Sequence, residues 1–198
     1  MKVQMQKILT LLVLCLLQLV TAFAEPSKGP ANPIITKGCK IWPYANCRGA
    51  DLSHMDLSAR DLAGVDFTGA NLTRADLRVA NLAGAIFDGA NLTGAKLNKV
   101  NAPSSSFKNA KLVGADLEFG KFMRSDFSGA DLTAANLEFS RWSYSWLRGA
   151  NLSYANLQEG KFNPTDFMNA RMTGVYTKFT IFPESNFEGC IDCPSKDW

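Results

Sequence analysis

The sequence has few of the residues and little of the charge on which catalytic and nucleic-acid-binding proteins depend. His54 is the only histidine in 198 residues, and 21 basic side chains face 18 acidic ones. Loss of the N-terminal segment described below would leave 19 basic against 18 acidic side chains, a balance that gives no field to attract nucleic acid. No nucleophile elbow, phosphate loop, zinc-protease motif or dinucleotide fingerprint occurs. We predict a protein that is not an enzyme and binds no nucleic acid, cofactor or metal.

A long apolar run occurs only near the N-terminus. Two lysines precede the run over residues 8–20, and an A-x-A pattern follows it. The run is too short for a comfortable membrane-spanning helix, and the whole segment is typical of a cleaved secretory signal. We predict a signal peptide over residues 1–24 and an exported protein with no membrane segment after cleavage, in the periplasm, outside the cell or in a lumenal compartment. The residues that mark the cleavage site are Ala22, Ala24 and Glu25.

A period of five residues dominates the rest of the chain. From residue 52 to residue 187 every fifth residue is large and apolar except Ala102 and Thr177, with no insertion or deletion over 28 central positions. The residue before the centre is usually Asp or Asn, and the one before that is usually small. Since neither a helix nor a simple strand repeats every five residues, each unit must be a short extended piece followed by a turn.

A second period, of 20 residues, sorts the central positions into four columns. The first two columns are aliphatic apart from one Thr: Leu52, Leu72, Leu92, Leu112, Leu132, Leu152, Met172; and Leu57, Leu77, Leu97, Leu117, Leu137, Leu157, Thr177. The other two columns hold the aromatic residues: Leu62, Leu82, Ala102, Phe122, Trp142, Phe162, Phe182; and Phe67, Phe87, Phe107, Phe127, Leu147, Phe167, Phe187. Four columns predict a coil with four sides, called here the first to fourth faces, whose like side chains stack to fill the interior.

These repeats resemble the A(D/N)LXX pattern of the pentapeptide-repeat family, as at residues 70–72, 90–92, 115–117, 130–132 and 150–152. The resemblance implies an all-β fold, a right-handed quadrilateral β-helix with four pentapeptides per coil, which gives about seven coils for 28 repeats. We predict that this β-helix is a non-enzymatic scaffold that mediates protein–protein interaction. Family members that confer quinolone resistance mimic B-form DNA and engage gyrase through a strongly acidic surface in the cytosol. The near-neutral, exported chain disfavours that role.

Four cysteines remain outside the signal segment: Cys39, Cys47, Cys190 and Cys193. Seven coils spaced by about 4.8 Å give a shaft of roughly 34 Å, whereas a disulfide needs Cα atoms within about 7 Å. Only the pairing of Cys39 with Cys47 and of Cys190 with Cys193 then fits one chain. The second pair is a C-x-x-C motif, so a redox accessory role stays open beside a structural one.

The chain therefore divides into four predicted segments. A signal peptide (1–24) precedes a leader and disulfide-stapled N-terminal cap (25–49), the β-helix (50–189) and a C-terminal cap (190–198). Solenoid ends expose core and backbone and need such caps, and dimerisation through an end cap also stays open.

The corners of the coil are predicted to differ. The position two residues after each fourth-column centre is always Gly or Asn. This pattern predicts a left-handed residue at the fourth corner of each coil. The second corner is predicted to be looser, because it carries Ala59, Val79, Lys99, Phe119 and Phe139.

A basic and aromatic stripe on the later coils is the candidate partner surface. Two interpretations are open: the rings pack over a corner and the cations are merely solvated, or the stripe binds an acidic protein, an envelope glycan or anion, or a second protomer. Its residues are Phe119, Lys121, Arg124, Phe139, Arg141, Tyr144, Trp146 and Lys161.

Overall fold

The backbone of the repeats winds into coils of 20 residues. In the computed structural model, which describes residues 34–36 and 39–194, every isolated β-bridge is parallel and joins residues 20 apart, from Asn46 with Asp66 to Arg171 with Ile191. The Leu72 N–H donates to the Asn91 carbonyl at 2.7 Å on one neighbouring coil. The period of 20 in the sequence is therefore the period of backbone pairing.

Regular strands are few because each side of the coil is only a few residues long. They are β1 (Ile34–Thr36), β2 (Cys39–Ile41), β3 (Ser145–Trp146) and β4 (Thr165–Asp166). β1 pairs with β2 antiparallel, and β3 pairs with β4 in parallel. The predicted signal peptide, residues 25–33 of the leader, residues 37–38, and residues 195–198 of the C-terminal cap lie outside the described residues. Among the described residues there is no helix of the length and apolarity needed to cross a bilayer.

The central side chains fill the interior, as the columns predict. In the fourth column Phe67, Phe87, Phe107 and Phe127 stack with ring centroids 4.9, 4.6 and 4.4 Å apart. In the third column the Phe122 and Trp142 rings stack at 4.5 Å, and Phe122 meets Phe127 edge-on at 5.4 Å. Both stacked and edge-on contacts are favourable arrangements of aromatic rings, so the two aromatic columns form one continuous packing along the shaft.

All four corners use the left-handed conformation, so the prediction of a looser second corner is wrong. The predicted fourth-corner residues have positive φ, for example Gly89 at 64° and Asn109 at 54°. At the second corner Val79, Phe119 and Phe139 also have φ between 56° and 61°. Each side ends in a turn closed by a bond such as that from the Ala75 N–H to the Leu72 carbonyl, 3.0 Å, and a type II turn requires positive φ whatever the side chain. A non-glycine residue there costs about 1 kcal/mol.

Pro164 interrupts this corner pattern. Its ring fixes φ near −65°, and it is absent from the positive-φ residues that include the equivalent Tyr144 and Glu184. The Tyr144 N–H donates to the carbonyl of Pro164, 20 residues ahead, at 2.7 Å, whereas the usual corner bond spans 19 residues. The ladder of β3 and β4 begins at the next residue of each coil and joins two residue pairs, where other coils form a single bridge. The proline therefore extends the pairing locally by one residue.

Buried hydroxyl groups line the corner between the third and fourth faces. Ser125 Oγ donates to the Ala102 carbonyl at 2.6 Å, and Thr165 Oγ1 donates to the Trp142 carbonyl at 2.5 Å. A different serine, Ser140, accepts a hydrogen bond from the indole Nε1 of Trp142 at 2.7 Å. Within the described residues no buried side-chain nitrogen or oxygen lacks a partner. These Ser and Thr residues occupy inward positions that are usually alanine, and their hydroxyls form hydrogen bonds with a buried carbonyl or with the Trp142 indole.

The two disulfides lie in the segments predicted to be caps. Cys39 and Cys47 are joined with Cα atoms 4.9 Å apart, and Cys190 and Cys193 with Cα atoms 5.9 Å apart. Cys47 occupies a central position and is fully buried, so the five-residue register extends into the predicted N-terminal cap. The C-terminal pair is only half-buried and lies beside Ile191, whose N–H bonds the Ala170 carbonyl at 2.9 Å.

This difference in burial predicts a difference in reduction. Mild reductant should open the Cys190–Cys193 bond first, because thiol–disulfide exchange requires access to a sulfur atom. Alkylation of the native protein followed by mass spectrometry should label the C-terminal pair while Cys39 and Cys47 stay oxidised. Simultaneous labelling of both pairs would contradict this expectation.

Candidate binding surface

The three cations predicted to form a ladder lie on adjacent coils. Lys121 pairs with Arg141, and Arg141 pairs with Lys161, as parallel bridge partners. Each precedes a buried central residue, so the alternation along the strand turns its side chain outward, and all three are exposed. Positive charges therefore recur at every coil along this part of the third face.

An aromatic ridge borders the ladder on the second corner. The Phe119 and Phe139 rings are nearly parallel, at 4°, with centroids 4.8 Å apart, and Lys99 Nζ lies 5.7 Å from the centre of the Phe119 ring. The rings do pack on one another, yet Phe119 remains 42% exposed. Both residues take the strained left-handed conformation, in a column where glycine would relieve the strain, so the ridge costs stability.

The opposite border lies on the third corner. Arg124 and Tyr144 take left-handed corner conformations there, and Tyr144 is 62% exposed. Trp146 lies beyond that corner on the fourth face, where it pairs with Asp166. The predicted stripe thus divides into a third face with two borders and a separate Trp146 site, an open cavity of about 250 Å³ between Tyr144, Trp146 and Glu184.

The cations of the third face differ from those of the fourth in their partners. On the fourth face Arg48, Lys108 and Arg148 form ion pairs with Asp66, Asp126 and Asp166 of the following coil, at 2.9, 3.2 and 2.5 Å. Within residues 39–194, the ladder cations form no ion pair and no side-chain hydrogen bond. Nearby like charges on adjacent strands are mildly destabilising, so the fold itself does not benefit from them.

The Asp and Asn residues that precede the centres serve the turns. Ser58 donates to Asp56 Oδ1 from its N–H at 3.0 Å and from its hydroxyl at 2.6 Å, and Asn71 Nδ2 donates to Asp51 Oδ1 of the preceding coil at 3.0 Å. These bonds to the Ser58 hydroxyl and N–H lower the pKa of Asp56. The Arg78 guanidinium, bonded to Asp76, likewise lowers the pKa of that carboxyl. The carboxylates are thus structural acceptors.

Acid should therefore weaken the fold. The folded pKa values of these carboxyls lie below the ordinary 3.8, so their contribution is complete above that pH and is lost as the pH falls through the lower folded values. Thermal unfolding followed by circular dichroism should show a falling Tm between about pH 5 and pH 2. Asp56→Asn keeps the acceptor oxygen and removes the titration, so it should flatten the profile slightly; a Tm that rises on acidification would refute this account.

A groove among the described residues lies outside the sequence predictions. An open cavity of about 760 Å³ runs along the second face beside the aromatic ridge, lined by Arg78, Val79, Lys96, Lys99 and Glu118 among others. The sequence feature that indicates this groove is the small Ala59, which stands in the second-corner column where Val79, Lys99 and Phe119 are larger. The sequence predicts a partner surface only from Phe119 onward, and Phe119 is the one predicted residue that also lines this groove.

No three His, Cys, Asp or Glu side chains in residues 39–194 approach closely enough to hold a metal ion. His54 is exposed at a corner with φ of 61°.

Comparison with known families identifies the repeat. A family model described as pentapeptide repeats matches in eight copies, over residues 45–78, 61–98, 90–129, 104–138 and 130–174. The chain belongs to the pentapeptide-repeat family. Pentapeptide-repeat proteins are generally structural or interaction proteins. A comparison with curated proteins finds no match.

Several solved pentapeptide-repeat structures are similar to this chain. A trypsin-treated variant of QnrB1, a plasmid-mediated fluoroquinolone resistance protein, is 19% identical over 72% of this chain and 77% of its own, with a TM-score of 0.41. HetL of Nostoc sp. strain PCC 7120, involved in heterocyst differentiation regulation, is 25% identical over 73% and 84%, with a TM-score of 0.26. A thylakoid-lumen pentapeptide-repeat protein of Arabidopsis thaliana is 28% identical over 76% and 72%, with a TM-score of 0.23.

Proposed function

We propose that this protein is an exported, non-enzymatic scaffold, a right-handed shaft of about seven coils, that binds an acidic protein partner through the stripe on its third face. The observation that carries the proposal is the contrast between faces. Lys121, Arg141 and Lys161 are exposed and without ion pairs among the described residues, whereas fourth-face cations are paired. The partly exposed aromatic ridge of Phe119 and Phe139 lies beside them, and exposed large apolar groups often mark contact surfaces.

Export and capping complete the proposal. Cleavage after Ala24 would place the cysteines in a compartment that permits disulfides. The disulfide-stapled segments at 39–47 and 190–193 would protect the ends of the shaft. Gyrase-type DNA mimicry is not proposed, because 19 basic against 18 acidic side chains after cleavage give no acidic surface.

Removal of the ladder charges is expected to abolish partner binding without unfolding the protein. The variant Lys121→Gln/Arg141→Gln/Lys161→Gln should lose at least one protein that the wild-type chain captures from an extract of the cell envelope. Capture by the wild type should also weaken as salt screens the charges. The Tm should stay the same or rise slightly, since like charges on neighbouring strands are removed.

A matched variant controls for net charge. Arg74→Gln/Lys111→Gln/Arg171→Gln removes three exposed cations from the side of the first column, and it should capture the same proteins as the wild type. Capture that survives in the ladder variant would overturn the proposed function.

A glycan-binding module is the second candidate. The Trp146 site favours it, because two exposed aromatic rings, Tyr144 and Trp146, open onto a cavity that also presents Asp166, Glu184 and Asn186. Apolar surface with a few convergent polar groups is the usual form of a small-ligand site. A neutral oligosaccharide titrated by calorimetry tests this candidate: Trp146→Ala should lose the binding while the ladder variant keeps it, and unchanged binding by Trp146→Ala would reject the candidate.

A further inference from the structure

The third face between its two corner borders, called here the trough, carries the ladder of Lys121, Arg141 and Lys161. The outward residues that follow its centres in the same coils are Met123, Ser143 and Asn163, so the floor carries no acid there. The ridge of Phe119 and Phe139 borders one side of the trough. Arg124 and Tyr144 border the other side. The trough is therefore basic along the ladder, aromatic along the Phe119–Phe139 border, and mixed along the border of Arg124 and Tyr144.

The charges in this trough recur with the spacing of the coils. Parallel rungs lie about 4.8 Å apart, and the Phe119 and Phe139 rings repeat at 4.8 Å. Two steps, from Lys121 to Lys161, therefore cover about 10 Å along the shaft. A ligand that engages all three cations must present acidic groups at close to this interval.

Among polypeptides, the helix fits that interval better than the strand. Residues i and i+7 of an α-helix lie about 10.5 Å apart, with i+4 between them at about 6 Å, all on one face. An extended strand repeats a face every two residues, about 6.6 Å, so its third side chain lies about 13 Å from its first. The mismatch for a strand grows with each rung, whereas the helix stays within about 1 Å of the ladder.

We infer that the trough receives an acidic, amphipathic α-helix of the partner protein, lying along the shaft. Acidic residues at i, i+4 and i+7 would meet Lys121, Arg141 and Lys161. Apolar side chains on one flank of the helix would cover the Phe119–Phe139 ridge. This inference rests on the proposed function and specifies the partner's chemistry.

Three probes test the inference by fluorescence anisotropy with the mature chain. The first is a peptide of about 20 residues, long enough to be helical, with Glu at i, i+4 and i+7 and Leu on the adjacent flank. The second peptide alternates Glu with Thr and Val, and so presents Glu in strand register. The third is an oligouronate of similar charge.

The helical peptide is expected to bind about tenfold more tightly than the other two, and to gain helical circular dichroism on binding. Lys121→Gln/Arg141→Gln/Lys161→Gln should weaken it about tenfold, the combined loss of three exposed charge pairs. Phe119→Ala/Phe139→Ala should also weaken it. The matched variant Arg74→Gln/Lys111→Gln/Arg171→Gln should bind as the wild type does.

Other results overturn the inference in distinguishable ways. Tighter binding of the strand-register peptide or the oligouronate, lost in the ladder variant, would reject the helix and keep the surface. Equal losses in the ladder and matched variants would show binding by net charge alone. Failure of all three probes would also reject the helix, while the dependence of native capture on the ladder still decides the proposed function separately.

Discussion

Replacement of Phe107 by Ala is expected to lower the free energy of unfolding by about 3 to 5 kcal/mol. The Phe107 ring is fully buried and stacks on Phe87 at 4.6 Å and on Phe127 at 4.4 Å. Because the rungs above and below fix the coil spacing, neighbouring rings cannot move along the shaft to fill the space. The cavity should persist, which is the condition under which large-to-small substitutions cost most.

Phe119→Ala is the matched control for this prediction. It removes the same atoms from a stacked but half-exposed ring and should change stability by less than about 1 kcal/mol. Denaturant titration followed by circular dichroism measures both variants. Comparable losses in the two variants would contradict the assignment of the fourth column to the core.

Ser140→Ala is expected to cost about 1 to 3 kcal/mol, although it only removes one oxygen atom. The Ser140 hydroxyl accepts the Trp142 indole N–H at 2.7 Å inside the core. The Leu137 carbonyl keeps its bond from the Ser140 N–H, 3.2 Å, so the indole is the group left without a partner. Its desolvation is then uncompensated.

A double-mutant cycle isolates that interaction. Trp142→Phe removes the indole N–H, and Phe already occupies the neighbouring positions of this column. In the Trp142→Phe background, Ser140→Ala should cost much less than in the wild type, with a coupling of about 1 kcal/mol or more. Ser143→Ala, whose hydroxyl forms no hydrogen bond within residues 39–194, controls for the substitution itself. Additive losses would show that the indole has another partner.

The interior could be predicted from the sequence because its constraint is periodic. Each coil must offer the same shape to the next, so the columns of Leu and Phe record the stacking directly. The corners misled the prediction for the opposite reason. Gly and Asn at the fourth corner indicate a left-handed turn from their residue type alone. Val79 and Phe119 adopt the same turn although their side chains disfavour it. Residue propensity therefore does not reveal a conformation that closure of the coil imposes.

Other features of the surface depend on contacts that no local pattern records. The pairing of Arg148 with Asp166 joins residues 18 apart, and the isolation of Arg141 is visible only when its neighbours on both coils are known. Pro164 illustrates the same limit, because its effect appears in the bonding of Tyr144 on the preceding coil. Composition identified the stripe as basic and aromatic, but only the structure separates Trp146 from the rest of it.

The 20-residue register determines which insertions and deletions keep the faces of the shaft aligned. Insertion or loss of a whole coil changes its length by one rung and leaves every column aligned, since pairing always joins residues 20 apart. A change of five residues would preserve each local repeat yet rotate everything downstream by a quarter turn, placing Phe over Leu and dividing any ladder of surface charge between two faces. Insertions and deletions of whole coils can therefore change the length of the shaft during evolution, whereas changes that would turn a binding surface toward another side disrupt the core.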